Sequence, residues 1–228
     1  MEVCTIPGKL NKPFTYILQV LLILTLLFFS YLMLKLSLPY IVMRNDVDFL
    51  QTKQNVYHID YWRRSFYVHV FTSIFVLLAG LTQFNSYLQN KHKRVHRFMG
   101  YTYVLLIVFI TGPASFMMGW HANGGLPART SFTLLAFLWI VFTGFAWWYA
   151  TKKRFLQHRA FMIRSYALTL SAITLRIYTV GFDYLNVHAK PIEIYVTTAW
   201  LSWVPNLIIA EMIINYTRKN AIKNLPQG

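Results

Sequence analysis

Marked for apolar and polar positions, the chain divides into six long apolar stretches, roughly 14–36, 66–86, 98–118, 131–150, 160–181 and 194–216. Each is close to the ~20 residues that a helix needs to cross the hydrocarbon core of a bilayer. The first is unbroken, "FTYILQVLLILTLLFFSYLMLKL". It is too long for a signal-peptide core and has no small-residue cleavage site, so it is expected to stay as a membrane helix. The fifth is the most polar, carrying Ser165, Thr169, Ser171, Thr174 and Arg176, and the sixth holds Pro205-Asn206, a kink that neighbouring helices must satisfy. The connections are short apart from 37–65. The pattern predicts an all-α, polytopic integral membrane bundle of six transmembrane helices over 14–216, with a segment 1–13 before it and a tail 217–228 after it.

Composition agrees: 56% of residues are apolar and 13% charged. The single cysteine, Cys4, excludes an intramolecular disulfide or a cysteine-based zinc site. A net charge of +15 would suggest nucleic acid in a soluble domain. Here its distribution changes that reading. The N-terminus, the 87–97 loop, the 151–164 segment and the tail carry 14 lysines and arginines, against 7 on the other side, which also holds five of the seven acids. That asymmetry puts both termini in the cytoplasm and makes anionic lipid headgroups on that face the expected partners, with no nucleic acid. The simplest location is a bacterial inner membrane, multi-pass.

With this orientation, His92, His96 and His158 fall at the cytoplasmic ends of spans, and His58, His69, His121 and His188 on or near the outer face. His69 alone is well inside a span, where an ionisable residue is costly without a partner. At 100° per residue, Val76, Gly80 and Gln83 share its face; Gly100, Tyr103 and Ile107 share that of His96; Ser165, Thr169, Ala172 and Arg176 share that of His158. Three polar stripes of this kind belong in a bundle interior. Arg176, within the fifth span, requires an anion: Asp183, an outer-loop acid, or a cofactor carboxylate.

Haem b uses two axial imidazoles, a slot between helices and cations for its propionates. An outer haem would take His69 with His121, and Arg176 near the propionates. An inner one would take His96 with His158, and Arg97, Arg159 or Arg164. His96 and His121 are 25 residues apart, roughly 37 Å along a helix, so they serve opposite faces. Two haems would conduct electrons across the bilayer to redox partners or within a larger membrane complex. Each candidate has a plainer role: His96 and His158 as interfacial anchors, His69 as a hydrogen-bonding group between helices, His121 as a turn residue, Arg176 in an ion pair, and the tryptophans, Trp62 and Trp203 among them, as interface belts. The competing class is therefore a cofactor-free scaffold, assembly factor or small transporter. A metal site from His92, His96 and His158 has no acid near its layer except Glu211 of span six, so a general base is hard to name.

The segments "FYVHVFTSIFVLLAGLTQF" (66–84), "VHRFMGYTYV" (95–104) and "QHRAFMIRSYALTLSAITLRIY" (157–178) resemble a bacterial family of predicted multi-pass membrane proteins, domain of unknown function 2306. The resemblance covers a core over 66–181 and implies a helical membrane bundle, with no activity attached. More loosely, helix pairs bearing histidines are similar to the two-haem transmembrane b-type cytochromes. This chain departs from those in placing His96 and His158 at the rim, so the outer site is the preferred one.

Overall fold

A computed structural model describes residues 12–223. Cys4, Lys9 and the rest of the N-terminal segment through residue 11, and tail residues 224–228, lie outside the described residues. Among the described residues there is no strand, and six helical units are long and apolar enough to cross a membrane. The first is α1 (Lys12–Ser37) with a 3₁₀ turn, Leu38–Val42; the second is α3 (Asp60–Gln83). The third joins α5 (Lys93–Leu105), a π turn (Leu106–Thr111) and α6 (Gly112–Trp120). The fourth is α7 (Gly125–Thr151), the fifth α8 (Phe155–Thr169) with α9 (Ser171–Tyr184), the sixth α10 (Pro191–Leu201) with α11 (Val204–Lys223). Short helices α2 (Gln54–Tyr57) and α4 (Ser86–Lys91) sit in connections at opposite ends.

Helix α7 packs between α6 and α8, α3 lies along both α5 and α6, and α1 covers α3. Helix α11 packs on α8, and α10 on α9 and α7. The main core gathers Val76, Tyr103, Ile107, Ala146 and Leu168. Phe75, Phe98, Phe109, Leu126 and Val180 point outward, which suits surfaces facing lipid. A second cluster, Leu26, Met33, Ile74, Leu77 and Ile173, closes the seam between α1, α3 and α9.

Three of the spans are interrupted, and each interruption has a local cause. Before Pro113, which has no N–H to donate, the backbone slips into a π turn that ends with Gly112 N–H bonded to Ile107 O. A side chain at Gly112 would collide with that same carbonyl and with Ile140 of α7. Between α8 and α9 the helix breaks at Leu170, and the carbonyl of Ala167 accepts from Asn206 Nδ2 at 3.2 Å. Between α10 and α11 Pro205 stops the helix, and Ser202 O accepts from Asn206 Nδ2 at 3.1 Å and from Thr174 Oγ1. The breaks in spans five and six therefore face each other, and each supplies a side chain that satisfies the other's backbone.

The connection 37–65 is more ordered than its hydrophilic pattern suggests. Tyr40, Leu50, Trp62 and Phe66 form their own apolar cluster, and Lys53, 3% exposed, donates to His121 O at 2.7 Å and Asn123 Oδ1 at 2.8 Å. Two tryptophans depart from the belt expectation, Trp62 in this cap and Trp203 in the main core. Trp62 is 1% exposed and stacks on Phe66, and Trp203 is buried with its Nε1 donating to Ser131 Oγ. Trp120, Trp147 and Trp148 are exposed, as belt residues are.

Candidate functional site

The stripes expected from helical phase converge. Tyr103 of α5 reaches α8, where its hydroxyl lies 2.8 Å from both Ser165 Oγ and Thr169 Oγ1. Thr143 Oγ1 of α7 is 2.6 Å from Ser165 Oγ, and Trp139 Nε1 donates to Thr169 Oγ1 at 3.0 Å. All of these groups are buried and bonded, so the knot ties three helices where lipid offers no partner. Gly80 of α3 lies under the Tyr166 ring, where a Cβ would sit 2.5 Å from Cε2, and Gln83 folds over Gly100.

Two turns toward the basic end lie the inner histidines. His96 precedes Tyr103 by seven residues and His158 precedes Ser165 by seven, on helices that both start at that end. The Tyr103–Ser165 bond therefore sets His96 and His158 at one depth and on facing stripes, and the two imidazoles are within electrostatic reach of each other. His158 Nδ1 donates to the Ala146 carbonyl of α7 at 2.8 Å, which fixes the tautomer and leaves Nε2 with its lone pair. His96 Nδ1 is buried and has no hydrogen-bond partner. Arg97 and Arg159 are exposed at the same end. Arg164 is committed elsewhere: Nε and Nη2 bind Glu211 Oε1 and Oε2 of α11 at 2.5 and 2.9 Å, and the guanidinium lies 5.0 Å from the Phe161 ring centroid. Arg164, expected from sequence near a propionate, is thus already paired with a carboxylate of the chain.

The outer histidines are arranged differently. His69 Nδ1 is 2.7 Å from Ser115 Oγ of α6, whose own proton goes to Thr111 O at 2.7 Å, so the imidazole donates and Nε2 holds the lone pair. His121 Nε2 lies 2.7 Å from the Tyr61 hydroxyl. Both bonds are rungs of one seam between α3 and the α6 end, six residues apart on the α6 side, about 9 Å. His69 and His121 thus do not face each other across an opening, because hydrogen bonds close the seam at both levels. His69 takes up the helix-joining role that was its plainer alternative. Arg176 has no carboxylate within ion-pair distance among the described residues, and Nη1 donates only to Ala172 O at 2.7 Å. Neither Asp183 nor an outer-loop acid pairs with it. Eighteen residues separate it from His158, roughly 27 Å of helix, too far to serve the inner pair.

At the outer rim burial holds the Lys53 amine down at about 8, and burial together with the charges of Arg129 and Lys53 lowers His121 below the ordinary imidazole range. Among the described residues no group of three or more His, Cys, Asp or Glu could share a metal ion, which sets aside the His92–His96–His158 arrangement. Lys53 and Tyr61 were not among the residues singled out from sequence, and Glu211 was noted only as the one acid near the inner histidines. Glu211 carried a signal, a carboxylate inside an apolar span; the partners of Lys53 and His121 are remote in sequence and carried none.

Six membrane-crossing helices joined through a hydrogen-bonded core define a polytopic helical membrane protein. More particularly, the model of the family described as predicted membrane protein (DUF2306) matches residues 66–214, and the chain belongs to that family. No curated protein and no solved structure matches the chain. The match continues beyond span five through most of span six, which is tied in through Arg164–Glu211 and Asn206. The likeness to two-haem cytochromes gains nothing from these comparisons.

Proposed function

We propose that this membrane protein binds one haem b at its basic end, where His96 and His158 would hold it, and carries electrons within the membrane. The observation that supports this most is the pair itself. One imidazole is oriented through Nδ1 by a backbone carbonyl with Nε2 uncommitted, and opposite it stands another whose buried Nδ1 has no partner. A buried polar atom without a partner is costly, and such groups in native structures call for a ligand or another specific reason. The donor set, two imidazoles on membrane helices joined by the Tyr103–Ser165 bond, fits a haem iron. Arg97 and Arg159 would meet the propionates at the headgroup level. Bound haem supplies one-electron chemistry; the chain supplies orientation through Ala146 and an apolar surround through Met99 and Met162.

A second reading, a cofactor-free scaffold, is favoured by the hydroxyl knot and the paired breaks, which account for many of the polar span residues by helix joining alone. Haem content separates the two. Protein expressed with haem supply and purified in mild detergent should contain close to one haem per chain by the pyridine haemochrome assay. A colourless preparation would sink the haem reading and leave the scaffold.

A further inference from the structure

We infer that a cleft at the outer end of α3 holds the phosphate headgroup of an anionic phospholipid, gripped by Arg63 and Arg64, with Val68 leading the acyl chains back to the bilayer. The cleft has a volume of about 610 Å³ and is lined by Met43, Tyr57, Arg63, Arg64, Tyr67 and Val68. That volume is in the range of small-molecule sites. The cleft lies where the first turns of α3 meet the connection 37–65. A span that starts at Asp60 reaches the headgroups at this level.

Tyr57 donates to Met43 O at 3.2 Å, so the proton between the Tyr57 and Tyr67 hydroxyls, 3.3 Å apart, comes from Tyr67. Both hydroxyl protons are spent in this way, and the two rings stand as fixed walls. The Arg63 guanidinium lies 5.6 Å from the Tyr57 ring centroid, and its Nη2 donates to Asp60 Oδ1 at 2.5 Å. Ring and carboxylate hold it in place, while its other edge has no acceptor among the described residues. Arg64 is exposed and makes no ion pair among the described residues. The carboxylates flanking the cleft in sequence, Asp46 and Asp60, are already paired with Arg44 and Arg63, and no carboxylate lines it. Arg63, Arg64 and Asp60 together carry +1, the complement of the single negative charge of a phosphodiester. Guanidinium forks match phosphate oxygens. Val68 follows Arg64 by one turn and Phe75 follows Val68 by two, on one side of α3, and they are 39% and 62% exposed. A charged head above an apolar stripe is the pattern a bilayer phospholipid matches, whereas a free phosphate has nothing to place on that stripe. The site is independent of the haem reading, because α3 runs from this end toward the basic end where His96 and His158 lie.

The test photolabels full-length protein in a neutral detergent with phosphatidylglycerol carrying a diazirine near its head, and identifies the labelled peptides by mass spectrometry. Saturable labelling within 43–68 is expected, and reading the peptides separates it from lipid held at the basic end. Unlabelled phosphatidylglycerol should compete about tenfold better than phosphatidylcholine with the same chains, and inorganic phosphate at equal concentration should not compete. Arg64→Gln should raise the half-saturating concentration about tenfold, and Arg64→Lys by less, since an ammonium keeps the charge without the fork. Lys190→Gln, the same charge change on an exposed side chain at the same end, should leave it unchanged. If Arg64→Gln does not yield a monodisperse protein, Arg64→Lys carries the test. The inference is overturned by no saturable labelling within 43–68, by equal labelling of wild type and the Arg64 variants, or by equal competition from the two phospholipids. Displacement by inorganic phosphate, or a loss in Lys190→Gln as large as in Arg64→Gln, overturns it as well.

Discussion

At the scale of single residues, the positions that matter most are polar groups whose every proton has a destination. Tyr103 is the central one, because its hydroxyl joins α5 to two oxygens of α8. Tyr103→Phe should lower resistance to unfolding in mixed detergent micelles by about 1 kcal/mol, in the range of interhelical hydrogen bonds in membranes. It should also loosen the depth matching of His96 and His158. Lys53 makes a different prediction. Its amine is held near 8 in the folded cap and returns toward 10.5 when the cap opens. Between those values the open form binds more protons, so the closed cap gains stability as pH rises. A neutral amine still has two N–H groups for its two acceptors, His121 O and Asn123 Oδ1. Chymotryptic cleavage within 40–57, normalised to a peptide standard, should slow from pH 7.5 to 9.5 in wild type and stay flat in Lys53→Met. The roles of Tyr103 and Ser165 were legible as stripes at helical spacing. The partner of His158 was not, since Ala146 contributes only a backbone carbonyl, which every residue has.

At the scale of elements, the spans were legible because a bilayer demands about 20 apolar residues and the sequence supplies them six times. The breaks were legible only where proline marks them. Pro205 announced the α10–α11 kink, whereas the break at Leu170 has neither proline nor glycine and depends on Asn206 from another span. Asn206→Ala should therefore weaken two helices at once, leaving the Ala167 carbonyl short of a donor and the Ser202 carbonyl with Thr174 Oγ1 alone of its two side-chain donors, at a cost of about 1–3 kcal/mol. Hydrogen exchange should report faster opening around 167–174 as well as 202–206. Gly80 tests the packing of α3 on its neighbours. Gly80→Ala places a methyl 2.5 Å from the Tyr166 ring and 2.8 Å from that of Tyr103. The expected loss is about 1–3 kcal/mol, read as a lower melting temperature in detergent. The 38–57 cap was hidden because its turns follow no helical or strand period.

At the scale of the whole molecule, six spans put residues 12 and 223 on one side, and the lysine and arginine asymmetry predicts that this side faces the cytoplasm. In a Cys4→Ser background, a membrane-impermeant thiol reagent added to intact cells should label Asn45→Cys and spare Asn90→Cys. The reverse pattern would invert the topology. Four histidines stood out in the sequence as candidate ligands, whereas the surroundings of each were not legible there. Depth alone favoured His69, while the seam that joins it to Ser115 depends on how α3 meets α6, which hydropathy does not encode. The inner pair, at the rim in sequence, is the one that includes an imidazole, His96, with a buried nitrogen that has no partner. The central claim, haem between His96 and His158, is tested most directly by the reduced-minus-oxidised spectrum of purified wild type, His69→Ala, His96→Ala and His158→Ala. The account predicts a Soret and a sharp α-band in wild type and His69→Ala that collapse in both inner variants. A colourless wild type, or bands that vanish with His69 and persist without His96 and His158, would contradict it.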